Sequence, residues 1–295
     1  GASNTGLGVN ALRCNTTADS NTAVGRSALQ DNTTGTQNTA VGQGALQVNT
    51  TGGYNVAIGN TALDANTTGA NNVAVGKGAG TSNTTGTRNT FVGGGYALGN
   101  GAANTTGNDN SFFGVDAGGT NTTASNNTAI GASALKVNTT GDCNVAVGVF
   151  TLDANTTGAC NTGLGYGALS VSTTASNNTA VGFYSLLENT TGANNVAVGR
   201  NSLCANTTAS YNTSIGWNSS YLNTTGAFNT ALGSGALDAN TTASSNTAIG
   251  SYSLSANTTG ATNTAVGHQA LNANTTGVCN AVVGYNAGSD VTTGK

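Results

Sequence analysis

The side chains that could carry acid–base chemistry are few and lie far apart along the chain. Asp64, Asp153 and Asp238 occupy the same position of a repeated unit, but about five units separate each from the next. If the units stack at the strand spacing of a sheet, about 4.8 Å, successive carboxylates lie about 24 Å apart. Paired-carboxylate glycosidases need about 5 to 9.5 Å between the two groups. The one histidine, His268, has no acid or nucleophile at a matching position.

Sequence motifs for bound groups are also missing. The calcium β-roll pattern G-G-x-G-x-D, a phosphate-binding loop and a zinc-ligand set do not occur in the sequence. We therefore expect no catalytic residues, no metal and no cofactor, and a protein that is not an enzyme.

The chain has five cysteines, so at least one is a free thiol or is paired between chains. Cys143 and Cys160 occupy the last position of successive units. Stacking would bring their Cα atoms to about 4.8 Å, inside the range that a disulfide spans. The spacing permits a Cys143–Cys160 disulfide, and five reduced thiols are the alternative.

Four aromatic residues are candidates for a ligand or partner contact: Phe91, Tyr96, Phe112 and Trp217. The first three surround the one break in the repeat, where four extra residues fall within residues 93–103. Insertions in repeat proteins often map to a binding face, but an insertion loop with compensating aromatic packing is the simpler interpretation. Trp217 lies at a predicted corner, where an exposed ring could stack on a sugar or on a neighbouring chain, or pack along the edge. Similar corners carry Tyr166, Phe183, Tyr184, Tyr252 and Tyr285.

A short period organises the whole chain. An asparagine recurs from Asn4 to Asn280 at 17 places, and 15 of the 16 intervals are 17 residues while one is 21. The unit reads N-T-A-V-G-x-x-A-L-x-x-N-T-T-G-x-x, and its positions are numbered 1 to 17 below. An alternating run that ends at Gly, then a second short run that ends at Asn-Thr-Thr-Gly, predicts strand, turn, strand and turn. Such a period is typical of stacked units that cannot bury a core alone.

The repeat predicts an all-β fold, a β-solenoid or β-roll with one 17-residue repeat per coil and about 17 coils. A helix is disfavoured because each unit contains Gly, β-branched residues and two Asn. Disorder is disfavoured because positions 4 and 9 keep their apolar residues in register. In this interpretation residues 1–295 form a single array, a segment of a longer one.

The sequence also suggests which positions face the core. We expect positions 4 and 9 to form two apolar ladders inside, with position 2 on the face of position 4. Positions 3 and 8, mostly Ala, would then face outward and let another copy approach closely. In this orientation Val147→Asp would bury a charge, and Ala57 and Ala74 would lie between copies. The Asn residues at positions 1 and 12 are expected to form amide ladders between coils.

The composition disfavours some partners. Charged residues are 6% of the chain, against about 25% in ordinary soluble domains. The formal net charge is −3, and no basic patch is present for a nucleic acid. No apolar run approaches the length of a membrane span, and no signal peptide is visible. We expect neither a nucleic acid nor a membrane span.

The unit, as in residues 38–54 and 263–279, resembles the 17-residue repeats of phage tail fibres or tail spikes and of long bacterial surface fibres with endosialidase-type chaperone domains. The likeness covers essentially the whole chain. More distantly, NVAIG at residues 55–59 is similar to the strand of trimeric autotransporter adhesin heads. The resemblance implies a structural extracellular fibre on a virion or cell surface, either the shaft or the adhesive part of a tail fibre or bacterial adhesin. With the Ala columns, it implies a parallel homotrimer or an end-to-end filament, and a cell-surface glycan or receptor as a further partner.

An ice-binding β-solenoid is the alternative function. Thr occupies positions 13 and 14 in every coil, and one of the two must face outward as a ladder spaced about 4.8 Å. Ice-binding faces usually present Thr-x-Thr ranks, whereas adjacent Thr-Thr places only one residue of each coil in the outward rank. The fibre is therefore the leading hypothesis.

Overall fold

The computed structural model describes residues 1–94 and 100–294. The chain divides into two compact units, Gly1–Val149 and Phe150–Lys295. In the described residues every strand has three residues and lies at positions 2 to 4 of its repeat. The first unit contains β1 Thr5–Leu7, β2 Thr22–Val24, β3 Thr39–Val41, β4 Val56–Ile58, β5 Val73–Val75, β6 Thr90–Val92, β7 Ser111–Phe113, β8 Thr128–Ile130 and β9 Val145–Val147. The second contains β10 Thr162–Leu164, β11 Thr179–Val181, β12 Val196–Val198, β13 Thr213–Ile215, β14 Thr230–Leu232, β15 Thr247–Ile249, β16 Thr264–Val266 and β17 Ala281–Val283.

Within each unit, consecutive strands pair in parallel and in register, so that equal positions of the repeat face each other. In the first unit Ala40 pairs with Ala57, and in the second Ala180 pairs with Ala197. One repeat therefore makes one coil, and the all-β solenoid class predicted from the period is confirmed. The second strand expected in each unit is wrong, because positions 8 to 11 form turns in the described residues. The single array over residues 1–295 stays a prediction.

Glycine at position 5 makes the corner that follows each strand. Gly131 has φ +131°, and a Cβ on it would lie 2.6 Å from the carbonyl oxygen of Gly148 in the next coil. Both the left-handed backbone and the close approach of that carbonyl exclude a side chain. This double restriction explains why the sequence places Gly at position 5 of every copy.

The strand faces are the reverse of those expected from the sequence. Position 3 is buried, as at Ala57, Ala74 and Ala146, and position 4 is partly or fully exposed, as at Ile58 and Val147. Position 8 Ala and position 9 Leu complete the core, as predicted for position 9 only. The expectations of a buried Val147 and of outward Ala57 and Ala74 are therefore wrong.

The reason lies in the width of the coil. Leu29 and Leu63 at position 9 are fully buried and have φ of 48° and 50°, so this side chain turns inward at a left-handed residue. Where Leu at position 9 fills the interior, the facing strand can contribute only a small side chain, and Ala at position 3 fits. In a close-packed interior a second Val or Ile would overlap it.

Two columns of buried asparagine join the coils. At position 12, Asn66 Nδ2 donates to Asn49 Oδ1 (2.9 Å) in the preceding coil and to the Gly69 carbonyl (3.0 Å) in its own coil. At position 1, the Asn72 backbone N–H donates to Asn55 Oδ1 (2.9 Å). Asn55 Nδ2 also donates to the Gly69 carbonyl (2.9 Å), so the two columns converge on position 15. The amide ladders predicted from the sequence are confirmed.

The four extra residues of the first unit are taken up between positions 5 and 8 of one coil. Gly93 still donates to the Val75 carbonyl (2.9 Å), and the Asn100 carbonyl accepts from Gly80 (3.0 Å). On the neighbouring turn, Arg88 makes two hydrogen bonds to Asp109, 2.6 and 2.8 Å long. The hydrogen bonds from Arg88 hold the pKa of the Asp109 carboxyl below its ordinary value. The register across the insertion is thus continuous in the described residues.

Candidate functional site

Phe91 and Phe112, two of the residues predicted to contact a ligand or partner, belong to the core. Both side chains are fully buried, with ring centroids 5.9 Å apart and planes inclined by 47°. They occupy position 3, which faces inward. A ligand on the surface cannot reach either ring, and compensating packing around the insertion is the interpretation that fits.

The space for these two rings comes from glycines at position 9, where most coils carry Leu. A Cβ on Gly80 would lie 2.5 Å from the Phe91 ring, and Cβ atoms on Gly101 and Gly118 would overlap Phe91 and Phe112. Phe at position 3 thus replaces the volume of the missing Leu at position 9. The coincidence of Phe with Gly in the same coils was a sequence signal for this exchange.

The other predicted site residues are Tyr96, Trp217, Cys143 and Cys160. Tyr96 lies outside the described residues. Trp217 is 48% exposed, so its contact with a ligand or partner stays a prediction. Cys143 and Cys160 are both exposed, and the disulfide between them also stays a prediction.

The acidic residues at position 10 are used within the fold. Asp64 accepts a hydrogen bond from Thr81 (2.5 Å), and Asp153 accepts one from Ser170 (2.7 Å). Burial raises the pKa of the Asp238 carboxyl. His268 stacks on Tyr285, with ring centroids 5.4 Å apart. In residues 1–94 and 100–294, no three His, Cys, Asp or Glu side chains come together as a metal site.

An aromatic pocket lies on the second unit. It has a volume of about 250 Å³ and is lined by Phe150, Asp153, Tyr166, Gly167, Ser170, Tyr184 and Leu187. Three successive coils supply these residues from two columns, the corner at positions 6 and 7 and the position-10 column beside it. Because Gly167 takes position 7 of the middle coil, the Tyr184 ring leans over it; a Cβ on Gly167 would lie 2.6 Å from that ring.

The aromatic rings that line the pocket are inclined steeply to one another. Phe150 and Tyr166 are perpendicular, with centroids 5.9 Å apart, and Tyr166 and Tyr184 are inclined by 60° at 5.6 Å. Phe150 and Tyr166 are each more than 40% exposed, so their surfaces are open to solvent. A compact ligand could contact all three rings at once.

Two side chains outside the lining, Phe183 and Arg200, pack behind Tyr166. Phe183 stacks on Tyr166 at 5.5 Å with planes 14° apart, and Arg200 lies 5.6 Å over the Phe183 ring. Arg200 therefore sits two coils beyond Tyr166 and does not line the pocket. The only charged side chain in the lining is the carboxylate of Asp153.

Two outward columns distinguish the remaining surface. The first, the position-4 stripe, consists of aliphatic or aromatic side chains, among them Val41, Ile58, Phe113, Ile130, Leu164, Ile215 and Leu232, each at least 36% exposed. The second, the position-14 rank, is an exposed threonine in every coil, from Thr17 to Thr293. At position 13 the hydroxyl is used within the fold, since Thr50 Oγ1 donates to the Thr67 carbonyl (3.0 Å).

Comparison of the chain with protein-family models, with curated proteins and with solved structures found no match. The described residues contain no helix that is long and apolar enough to cross a membrane.

Proposed function

We propose that the chain is a structural element of an extracellular fibre, the shaft or adhesive part of a phage tail fibre or of a bacterial surface adhesin or filament. The observation that carries the proposal is the coil interface, because each coil binds its neighbour through the same groups in the same register. A structure of this kind extends by adding identical units, and its stability is a sum over neighbouring pairs. The resemblance of the unit to fibre repeats supports the same function.

The chemistry of the interface suits a fibre exposed to solvent. The buried amides at positions 1 and 12 hydrogen-bond across coils, so the stack depends on directional bonds as well as on a thin apolar core. Polar networks of this kind specify a single register, because a slipped coil would leave many more buried amides without partners.

Self-association belongs to this proposal, but its surface must differ from the one expected. Ala57 and Ala74 are buried and cannot lie between copies. The position-4 stripe is an apolar column that is partly or fully exposed in every coil, and it offers a similar contact at each level of a parallel homotrimer. An end-to-end filament through the terminal coils is the alternative assembly.

The test of location is immunogold electron microscopy of intact virions or cells with antibodies raised against the purified chain. Gold particles along surface fibres are expected, and pre-immune serum is the control. Label that appears only after the cells are broken open would refute the extracellular fibre.

Ice binding remains a second candidate, favoured by the position-14 rank. Its threonines are exposed in every coil, and on the sheet Thr at position 2 and Val or Ile at position 4 also face outward. All three columns, at positions 2, 4 and 14, repeat at about the 4.8 Å strand spacing and carry no charge. Thermal hysteresis in the purified chain, lost when Thr191, Thr208 and Thr225 are all replaced by Tyr, would support this function over the fibre. Absence of hysteresis would remove it.

A further inference from the structure

We propose that the aromatic pocket of the second unit is a cage for a quaternary ammonium group, and that its ligand is a trimethylammonium compound such as choline. The proposal goes beyond the structural role and does not depend on it. It rests on three observations about the pocket: the number and inclination of the rings, the sign of the lining charge, and the size of the space.

The rings provide the main attraction. Phe150, Tyr166 and Tyr184 meet at 90° and 60° and all line one space. The face of an aromatic ring attracts a cation held within about 6 Å of its centroid, and several inclined rings can do so together. A trimethylammonium group is the ligand that matches such walls, because its positive charge is spread over methyl groups that pack against carbon.

The charge of the lining selects the same ligand. Asp153 is the one charged residue in the lining, and the Ser170 hydroxyl orients its carboxylate by a hydrogen bond of 2.7 Å. A quaternary ammonium has no N–H to donate, so it needs only the nearby negative charge and no further acceptor. An anionic ligand would face this carboxylate and the electron-rich ring faces, and is disfavoured.

The size of the pocket also suits a small quaternary ammonium ligand. Its volume of about 250 Å³ falls just below the range of about 300 to 1,000 Å³ typical of sites for drug-sized molecules. A single small head group fits this space. A neutral sugar is the competing ligand, but sugars require several oriented donors and acceptors, and here the Ser170 hydroxyl is already directed at Asp153.

The pocket is pre-shaped by its neighbours. Phe183 stacks on Tyr166, and Arg200 lies over Phe183, so the central wall is held in place before any ligand arrives. Gly167 keeps position 7 of the middle coil open for the Tyr184 ring. Holding a site in its bound geometry lowers the entropy lost on binding.

The chain contains a matched control for this geometry. Gly235 and Tyr252 repeat the arrangement of Gly167 and Tyr184, since a Cβ on Gly235 would lie 2.7 Å from the Tyr252 ring. The cage is missing there because position 6 of the glycine coil is Ser234 and position 7 of the preceding coil is Asn218. Gly235→Ala and Tyr252→Leu therefore impose similar local strain without touching the proposed site.

Isothermal titration calorimetry at low salt tests the proposal with tetramethylammonium, choline, trimethyllysine and the uncharged isostere 3,3-dimethylbutan-1-ol. We expect saturable binding of the ammonium compounds, and at least about tenfold weaker binding of the isostere. Choline and trimethyllysine distinguish a free small molecule from a modified side chain as the source. Binding should weaken as salt is added, because Asp153 is only partly buried.

The variants locate the site. Tyr166→Leu and Gly167→Ala should each weaken choline binding by about tenfold, and Asp153→Asn by a few-fold, while Tyr252→Leu and Gly235→Ala leave it unchanged. Circular dichroism confirms that each variant is folded. Equal binding of choline and the isostere, equal losses in the control variants, no binding of any ammonium probe, or binding of methyl pyranosides in place of choline would each overturn the proposal.

Discussion

At the scale of single residues, each position-12 asparagine performs two tasks. The Asn189 amide donates to the Gly192 carbonyl (2.9 Å) and closes its own turn, while its Oδ1 accepts from Asn206 (2.8 Å) and joins the next coil. The column is interrupted at Ser172, whose buried hydroxyl has no hydrogen-bond partner. A serine is too short to replace the amide, so this position weakens the ladder of the second unit.

Replacing Ser172 with Asn should restore the ladder between Asn155 and Asn189. A buried hydrogen bond contributes about 1 kcal/mol, so we expect Ser172→Asn to raise the free energy of unfolding by about 1 to 2 kcal/mol. Denaturant or thermal melting measures the change. Ser172→Ala is the control, because it removes the unpaired hydroxyl without adding an amide. A gain no larger than that of the alanine variant would mean that the ladder contributes little.

The thiols should differ in reactivity. Burial, with a smaller contribution from the nearby Glu188 carboxylate, raises the pKa of Cys204 to about 11. At pH 8 only about one Cys204 side chain in a thousand is then a thiolate, the form that reacts. We expect iodoacetamide to label the exposed Cys279 readily and Cys204 only after unfolding, as read by peptide mass spectrometry. Rapid labelling of Cys204 in the folded protein would show that its coil opens. The same maps, made without reduction, test the Cys143–Cys160 disulfide.

At the scale of the coil, one large side chain fills the interior of most coils, and it can come from either side, whereas the coil of Ser214 and Ser220 buries serines there instead. In most coils it is Leu at position 9, and in the coils of Phe91 and Phe112 it is the ring at position 3. The sequence predicted the strand at positions 2 to 4, the corners and the buried Leu column from the period, but the second strand that it predicted in each unit is a turn in the described residues. It did not predict the inward Ala, because hydrophobicity favours Val as the core residue, whereas the width of the coil decides in favour of the smaller side chain.

The exchange of Phe for Leu can be tested by a double-mutant cycle. Phe91→Ala should lower the free energy of unfolding by about 3 to 5 kcal/mol, because it empties the space above Gly101. Gly101→Leu alone should also destabilise, since its Cβ would overlap the Phe91 ring. Together the two changes recreate the common coil, and Leu is tolerated at this backbone conformation elsewhere, as at Leu63 with φ 50°. The double variant should therefore be more stable than either single one. Simple addition of the two losses would show that the volumes are not exchangeable.

The candidate pocket was only partly visible in the sequence. Aromatic residues at positions 6 and 7 marked the corners, and Tyr166 and Tyr184 were among them. What the sequence could not supply was the gap at Gly167, which lets rings two coils apart face one space, or the choice of Asp153 from three equivalent acids. Both depend on which side chains meet across coils, and not on the identity of any one position.

At the scale of the molecule, assembly is the open prediction, and the position-4 stripe is the surface on which it should depend. If copies pack there as a parallel trimer, Ile58→Glu together with Ile130→Glu places charges in the contact at two levels, and light scattering should shift from trimer to monomer. Thr68→Glu with Thr140→Glu is the matched control, because these residues are exposed in the same two coils at position 14. The control should stay trimeric.

Two outcomes would contradict the assembly prediction. A monomer before any substitution would leave the stripe without a partner copy. A trimer that survives the Ile58 and Ile130 substitutions but dissociates in the threonine control would move the contact to the position-14 face. Ala57→Glu is uninformative about assembly, because its side chain is buried and the variant would unfold.

The regular register has a consequence for how the chain acquires its structure. Within each unit, strands pair with residues 17 positions away, as Thr39 does with Val56, and the one longer step in the described residues joins Thr90 to Ser111. Closing a loop of that length costs little conformational entropy, and the cost is the same at every step. Chains dominated by such short-range pairing fold quickly for a β protein. A nascent chain can therefore form its first rungs before the later repeats have been synthesised, and each finished coil becomes the template for the next.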